Sequence, residues 1–362
     1  MLQRNYGLDL LRMTAMFMVL LLHTMGQGGI LEHLNTPPYS TFVYFTKYSV
    51  AWYIEIFAYC AVNCYALLTG YNYFGKEVKY IKLVEFWLQI VFYTVGINLI
   101  FYVMGTHIGK QLILTSIFPI MRRFYWYTTA YFGMFLFIPI MNQYLENISQ
   151  QALKKFLVIA FCLFSILPTI MRENPFYLQG GYSMLWLVML FLVGGAIKKL
   201  KLFDSFSSKK LLGAFFVSTL LTLAFKLLVE LVMKIWSKKL VFANVFIDYT
   251  SPTIVLAAIF LLVLFSKLDI KNNILLKVIQ ICSPAAFGIY LIHLHPLIWN
   301  KYIHGFSVRF LNSNPLIMVG KIFASALAIY VVCTFIELLR MKLFEYLKVK
   351  QLVKAIERRL AG

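Results

Sequence analysis

Charge is scarce in this chain, and acid is scarcer than base. Of 362 residues only 13% are Asp, Glu, Lys or Arg, while 61% are hydrophobic and 17% aromatic. A chain with so little polar surface cannot clothe a water-soluble globule, and a mean hydropathy of +0.77 places it with polytopic membrane proteins. Only 14 acids stand against 34 Lys and Arg, for a formal net charge of +20. In a soluble protein that excess would point to nucleic acid. Here the bases fall in short loops between apolar runs, the pattern of topology determinants beside an anionic leaflet, so the expected partner is membrane lipid and not nucleic acid. Cysteine is sparse too: Cys60, Cys64, Cys162, Cys282 and Cys333 all fall within apolar stretches, with no disulfide or metal spacing among them. No metal centre is expected. No loop exceeds about twenty residues, which leaves no room for a soluble domain, and no internal repeat is visible. A small-residue cleavage site is missing after the first apolar run, so no cleavable signal peptide is expected.

What the sequence does contain is helix. Ten apolar stretches approach the length of about 20 residues needed to cross a hydrocarbon core. Their approximate extents are 7–26, 44–69, 83–104, 124–142, 153–170, 182–199, 211–235, 250–266, 283–299 and 316–339. The expected fold is an all-α, multi-pass bundle over 1–340, followed by a basic amphipathic tail over 341–362. With both termini cytoplasmic, the inner segments carry more than twice the Lys and Arg of the outer ones, which favours that orientation. Two outer loops are then unusually basic, one ending in Arg122 and Arg123 and one holding Lys234, Lys238 and Lys239.

Arg12 and His23 lie eleven residues apart in the first span. Eleven steps of about 100° come within about 20° of three whole turns, so both side chains face one way, roughly 16 Å apart along the axis. Ionisable groups inside a membrane are costly and mark function by default. Asp9, three residues before Arg12, is placed to pair with it. The plainer reading makes Asp9 and Arg12 an interfacial anchor and His23 a boundary histidine. Glu55, mid-span in the second stretch, is the acid best placed to orient His23, unless it pairs with Lys47 or Arg12 for purely structural ends.

Three further constellations stand out. Gly70 closes the second stretch, and Lys79 and Lys82 at the start of the third could meet phosphates from the cytoplasm or serve topology alone. Tyr125, Trp126, Tyr127 and Tyr131 cluster after Arg122 and Arg123, where an interfacial aromatic belt is the alternative to a ligand site. His293 and His295 lie within the ninth stretch, either facing the bundle for function or donating to backbone carbonyls.

In their order along the chain these fragments resemble the acyltransferase type 3 family of ten-helix integral membrane acyltransferases, many of whose bacterial members O-acetylate cell-surface sugars. The most specific part is Arg-x10-His, Arg12 to His23, after Leu8-Asp9-Leu10-Leu11. Supporting it are Thr69-Gly70-Tyr71, Tyr125-Trp126-Tyr127 leading to Pro139-Ile140-Met141-Asn142, Tyr249-Thr250-Ser251-Pro252, and Gly288-Ile289-Tyr290-Leu291-Ile292-His293. The chain departs from the pattern where many members carry Arg-x-x-Arg, having Lys79 and Lys82 instead, which keeps charge but loses the guanidinium fork. No hydrolase-like domain follows the tenth stretch, so the membrane part is expected to act alone, as a homo-oligomer, or with a separate extracytoplasmic partner.

The resemblance implies acetyl-CoA or another acyl-CoA as cytoplasmic donor, with no permanently bound cofactor, and a hydroxyl of a cell-surface or lipid-linked glycan as acceptor. It implies the plasma membrane as location. His23 would be general base or transient nucleophile, Arg12 would bind donor or position the helix, and Lys79 and Lys82 would meet coenzyme phosphates. Arg122, Arg123, Trp126, Tyr127 and His293 would touch the acceptor. The competing classes are a transporter or flippase of a small polar solute or lipid-linked sugar, against which the missing repeat counts, and a silent scaffold, against which the intact Arg12 and His23 count.

Overall fold

The computed structural model describes residues 4–34, 41–174, 176–236, 244 and 246–361, with backbone alone at 356 and 359–361. All regular structure among the described residues is helical. The chain runs through α1 (Tyr6–Met25), α2 (Ile30–Leu34), α3 (Phe42–Tyr59), α4 (Ala61–Tyr73), α5 (Ile81–Val103) and α6 (Lys110–Ile117). It continues through α7 (Trp126–Leu136), α8 (Ile138–Asn147), α9 (Gln150–Phe161), α10 (Leu167–Met171), α11 (Met184–Leu200) and α12 (Ser208–Ile235). The last third comprises α13 (Pro252–Ser266), α14 (Asn273–Cys282), α15 (Ala286–His293), α16 (Pro296–Ile298), α17 (Pro315–Tyr346) and α18 (Val349–Ala361).

Among the described residues seven helical segments are long and apolar enough to cross a membrane: Tyr6–Met25, Phe42–Tyr73, Ile81–Val103, Gln150–Met171, Ser208–Ile235, Asn273–His293 and Pro315–Tyr346. The other three expected spans are helical but shorter or broken. α11 has 17 residues and α13 has 15. The stretch expected at 124–142 parts at Phe137, because Pro139 cannot donate to the ladder and starts a new helix. Other breaks have the same kind of cause. A π-turn at Cys162–Ile166 precedes Pro168, and Pro284 separates α14 from α15.

Two expected boundaries are corrected. The ninth span covers Asn273–His293 and not 283–299, because Asn272 caps α14 through its side chain and Lys277 lies within the helix. The helix expected over 316–339 runs on to Tyr346, and Lys348, with a φ of 53°, separates it from the helix that follows.

α1 lies in the middle of the bundle, packed against α3, α4, α13, α14, α15 and α17. α4 and α11 meet at backbone distance: a Cβ on Gly70 would sit 2.0 Å from the Phe191 carbonyl oxygen, and one on Gly194 would sit 2.1 Å from that of Leu67. In lipid, where apolar burial drives little association, such close approach supplies the dispersion that holds helices together. Lys226 Nζ and Glu230 Oε1 form a buried ion pair at 2.6 Å in the bundle, with Lys226 lying 3.6 Å over the Trp52 ring.

Candidate active site

The N-terminal end of α1 is built around Asp9. Asn5 caps the helix, accepting from the Leu8 N–H, and so fixes the first turn. Asp9 then accepts from Arg4 Nε at 2.6 Å, from Arg12 Nη1 at 2.7 Å and from Ser283 Oγ at 3.2 Å. Arg12 Nη1 also donates to Ser283 Oγ at 2.9 Å. Ser283, the C-cap residue of α14 before Pro284, reaches Asp9 and Arg12 because α14 packs on α1. Among the described residues every hydrogen bond of the Arg12 side chain uses Nη1, which leaves Nη2 and Nε for a ligand. Asp9 thus anchors Arg12 while leaving part of its guanidinium without a partner among the described residues.

Arg12 lines a cavity of about 1160 Å³ together with Tyr65, Lys82, Tyr127, Ser283 and Arg340. Arg340 is neutralised by Glu337, which is fully buried and accepts from both guanidinium ends, from Gln89 Nε2 at 3.0 Å and from Tyr93 Oη at 2.5 Å. Lys82 donates to Tyr73 Oη at 3.3 Å and borders the cavity. Lys79, expected beside it, is exposed and does not line the cavity. Three residues is a little less than one turn, but Lys79 lies before the first turn of α5, outside the helix that aims Lys82 inward.

At the other end of α1, His23 faces His293. His23 Nδ1 and His293 Nε2 are 2.8 Å apart, and His293 Nδ1 is 2.6 Å from the Ile289 carbonyl oxygen. A carbonyl can only accept, so His293 Nδ1 carries a proton. In the neutral ring Nε2 is then an acceptor, and the proton between the two imidazoles belongs to His23 Nδ1. His23 Nε2 is left as a lone-pair nitrogen. This is the arrangement of a general base oriented from behind by a second group. Trp299 stands edge-on to His23 at 5.3 Å, and Tyr290 edge-on to His293 at 6.2 Å. His295 is used up structurally: Nε2 meets the Thr94 carbonyl oxygen at 3.3 Å, and Nδ1 accepts from the Leu297 N–H.

The expected contact between Glu55 and His23 is absent. His293 takes that place, and Glu55 has no ion pair among the described residues, its Oε2 being buried without a partner. Lys47 instead donates to the Leu311 carbonyl, and Arg12 is held by Asp9. Helix position fixed the depth of Glu55 but not the neighbour it faces. That neighbour is an aromatic group formed by Tyr59, Tyr182, Tyr249 and Trp126: rings of Tyr59 and Tyr249 lie 4.8 Å apart, Tyr182 and Tyr249 4.9 Å, Trp126 and Tyr182 4.6 Å. Asp248 borders it, and burial holds its carboxyl above the ordinary range. Asn63 anchors the group, donating to the Tyr249 carbonyl and accepting from Trp186 Nε1.

Trp126 and Tyr127, neighbours in sequence, thus serve different places. Trp126 joins the aromatic group, whereas Tyr127 borders the cavity, edge-on to Tyr65 at 6.3 Å and to Tyr290 at 6.0 Å. Arg122 and Arg123 are exposed in the turn before Tyr125, with Arg123 at φ 52°. Lys238 and Lys239 lie outside the described residues. Sequence reasoning missed Ser283, Glu337 and the contribution of the tail; Pro284, which follows the end of the helix at Ser283, was the one sequence signal that could have pointed to Ser283.

A bundle of apolar helices with paired imidazoles at one end of its central helix and a basic cavity at the other defines the class: a multi-pass membrane protein with a two-ended polar site. The chain belongs to the acyltransferase type 3 family, whose model, described as an acyltransferase domain, matches residues 5–335. It is therefore a membrane protein of an acyltransferase family. No curated protein and no solved structure matches it.

Proposed function

We propose that the protein transfers an acyl group, acetyl in the simplest case, from cytoplasmic acyl-CoA to a hydroxyl of a cell-surface or lipid-linked glycan at the plasma membrane. The observation that carries the reading is the His23–His293 hydrogen bond, backed by the Ile289 carbonyl, which leaves His23 Nε2 aimed as a base. His23 Nε2 takes the proton of the acceptor hydroxyl as its oxygen attacks the thioester carbonyl. The tetrahedral adduct collapses, the carbon–sulfur bond breaks, and the coenzyme leaves as a thiol that receives the same proton from His23. The positive charge on His23 during this passage is shared through Nδ1–H to His293. Transfer through an acyl-His23 intermediate uses the same geometry, with Nε2 as nucleophile.

Arg12 is roughly 16 Å from His23 along the helix and cannot share a reacting atom with it. Its free guanidinium face in the cavity suits the donor, with Lys82 beside it. The group of Tyr59, Tyr182, Tyr249 and Trp126 with the carboxylates of Glu55 and Asp248 suits a neutral sugar, whose C–H faces stack on rings and whose hydroxyls donate to carboxylates. It does not suit an anion, so Arg122 and Arg123 serve attraction at the mouth and not the seat of the acceptor ring. Mass analysis of surface glycan from a strain lacking this protein tests the reading: the expected result is loss of an acyl increment, and unchanged glycan acylation would contradict it.

A further inference from the structure

The large cavity has a wall that the family match does not include. Beyond residue 335 the chain still contributes Arg340, Phe344 and Glu345 from α17, and Lys348, Lys350 and Lys354 with Gln351 from the link and α18. α18 is fastened to the body: Val353 is 2% exposed, and the helix packs against α5 and α17. Residues 350, 351 and 354 share one face of a helix, and this face is turned to the cavity. The left-handed residue Lys348, φ 53°, folds α18 back across the mouth.

The charges on this wall are out of balance. Arg340 is matched by Glu337, and Arg12 by Asp9. Lys348, Lys350 and Lys354 have no carboxylate within ion-pair distance among the described residues, while Glu85 and Glu345 are the acids of the lining. Three uncompensated ammonium groups and the positive end of α18 converge on one side of a space larger than a usual drug-sized pocket of about 300–1,000 Å³. Such a wall calls for a ligand carrying several phosphate groups and a long apolar arm that can run inward past Arg12.

We propose that the C-terminal segment 340–354 completes the donor site, with Lys348, Lys350 and Lys354 holding the phosphates of acyl-CoA, the 3′-phosphate of its nucleotide among them. The assignment rests on the acyl-CoA reading above. It makes the tail a binding element and not a topology signal, and it explains why the third span can carry lysines in place of arginines: the cations that grip the phosphates come from elsewhere in the chain.

The test is calorimetric titration of the purified full-length protein with CoA and with 3′-dephospho-CoA. Charge-assisted hydrogen bonds are worth about 1.5–3 kcal/mol, so the wild type is expected to bind CoA about tenfold or more tightly than 3′-dephospho-CoA, with affinity falling as salt rises. In the combined variant Lys348→Gln, Lys350→Gln, Lys354→Gln, CoA affinity is expected to fall by about tenfold or more and the preference over 3′-dephospho-CoA to shrink toward unity. Equal wild-type affinity for the two coenzymes would overturn the assignment without any variant. So would unchanged CoA affinity in the triple variant accompanied by weakened binding to vesicles containing phosphatidylglycerol, which would make the tail a lipid anchor. A wild type that binds no CoA would overturn the acyl-CoA reading together with this one, whereas CoA binding untouched by the variant overturns the tail assignment alone.

Discussion

At the residue scale the account turns on which nitrogen carries which proton. His293→Phe keeps a ring in the same space but removes the acceptor for His23 Nδ1–H, so the His23 ring loses its orientation and the support for its charge. The expected result in steady-state kinetics is a fall in kcat of about 10²–10⁴-fold with little change in KM for acyl-CoA. An equal fall in a His295→Gln control would mean that the effect is structural. Arg12→Lys tests the other end: a point charge cannot bond Asp9 and Ser283 and still present two further donors. Donor KM should rise by about tenfold or more with kcat less affected, and unchanged kinetics would reduce Arg12 to an anchor. The spacing of Arg12 and His23 was legible because it lies within one helix, where eleven residues fix a face. The partner of His23 was not, because His293 is 270 residues away in the chain and the turn of α15 that aims it depends on packing. Glu55 shows the same limit: its depth was readable, its neighbour was not.

At the scale of elements, apolar length predicted helices and proline placed the breaks, but two boundaries moved. α14 carries Lys277 within the helix, so residues before 283 that were expected to lie outside the ninth span belong to it. Gly288 illustrates what helix positions alone conceal. A Cβ there would lie 2.3 Å from a Glu337 carboxylate oxygen, so α15 and α17 pass each other only because position 288 has no side chain. Glu337 is fully buried and held by Tyr93, Gln89 and Arg340, and it cannot swing away cheaply. Gly288→Ala should therefore push α15 outward, at a cost of about 1–3 kcal/mol for overpacking, and displace His293 one turn and a half further on. The measurement is thermal stability in detergent beside kcat: both are expected to fall. A variant stable as wild type but inactive would show that Gly288 acts through something other than this contact.

At the scale of the whole molecule, composition and loop charge gave the membrane class, and the order of fragments gave the family that the match over residues 5–335 shows. The all-α character was legible throughout. Among the described residues seven segments have the length and hydropathy to span, while α7 and α8 part at Phe137 before Pro139 and α11 and α13 are short, the segments before them supplying Tyr182 and Tyr249 to the aromatic group. The tail was read as a separate basic stretch; that it borders the cavity could not be seen without the fold. The orientation can be checked with a single cysteine introduced at exposed Arg122 in a cysteine-free background. A membrane-impermeant thiol reagent on intact cells should label it and leave a cysteine at Lys209 unlabelled; the reverse pattern would invert the topology and with it the sides assigned to donor and acceptor.

The most direct test of the central claim is acyl transfer by purified His23→Ala protein, measured as thiol release from acetyl-CoA in the presence of glycan acceptor, alongside CoA affinity by titration. The account predicts that transfer is abolished while CoA binds as in the wild type, because the base is lost and the cavity roughly 16 Å away along α1 is untouched. Wild-type transfer by His23→Ala would contradict it, and would remove the paired imidazoles from the chemistry.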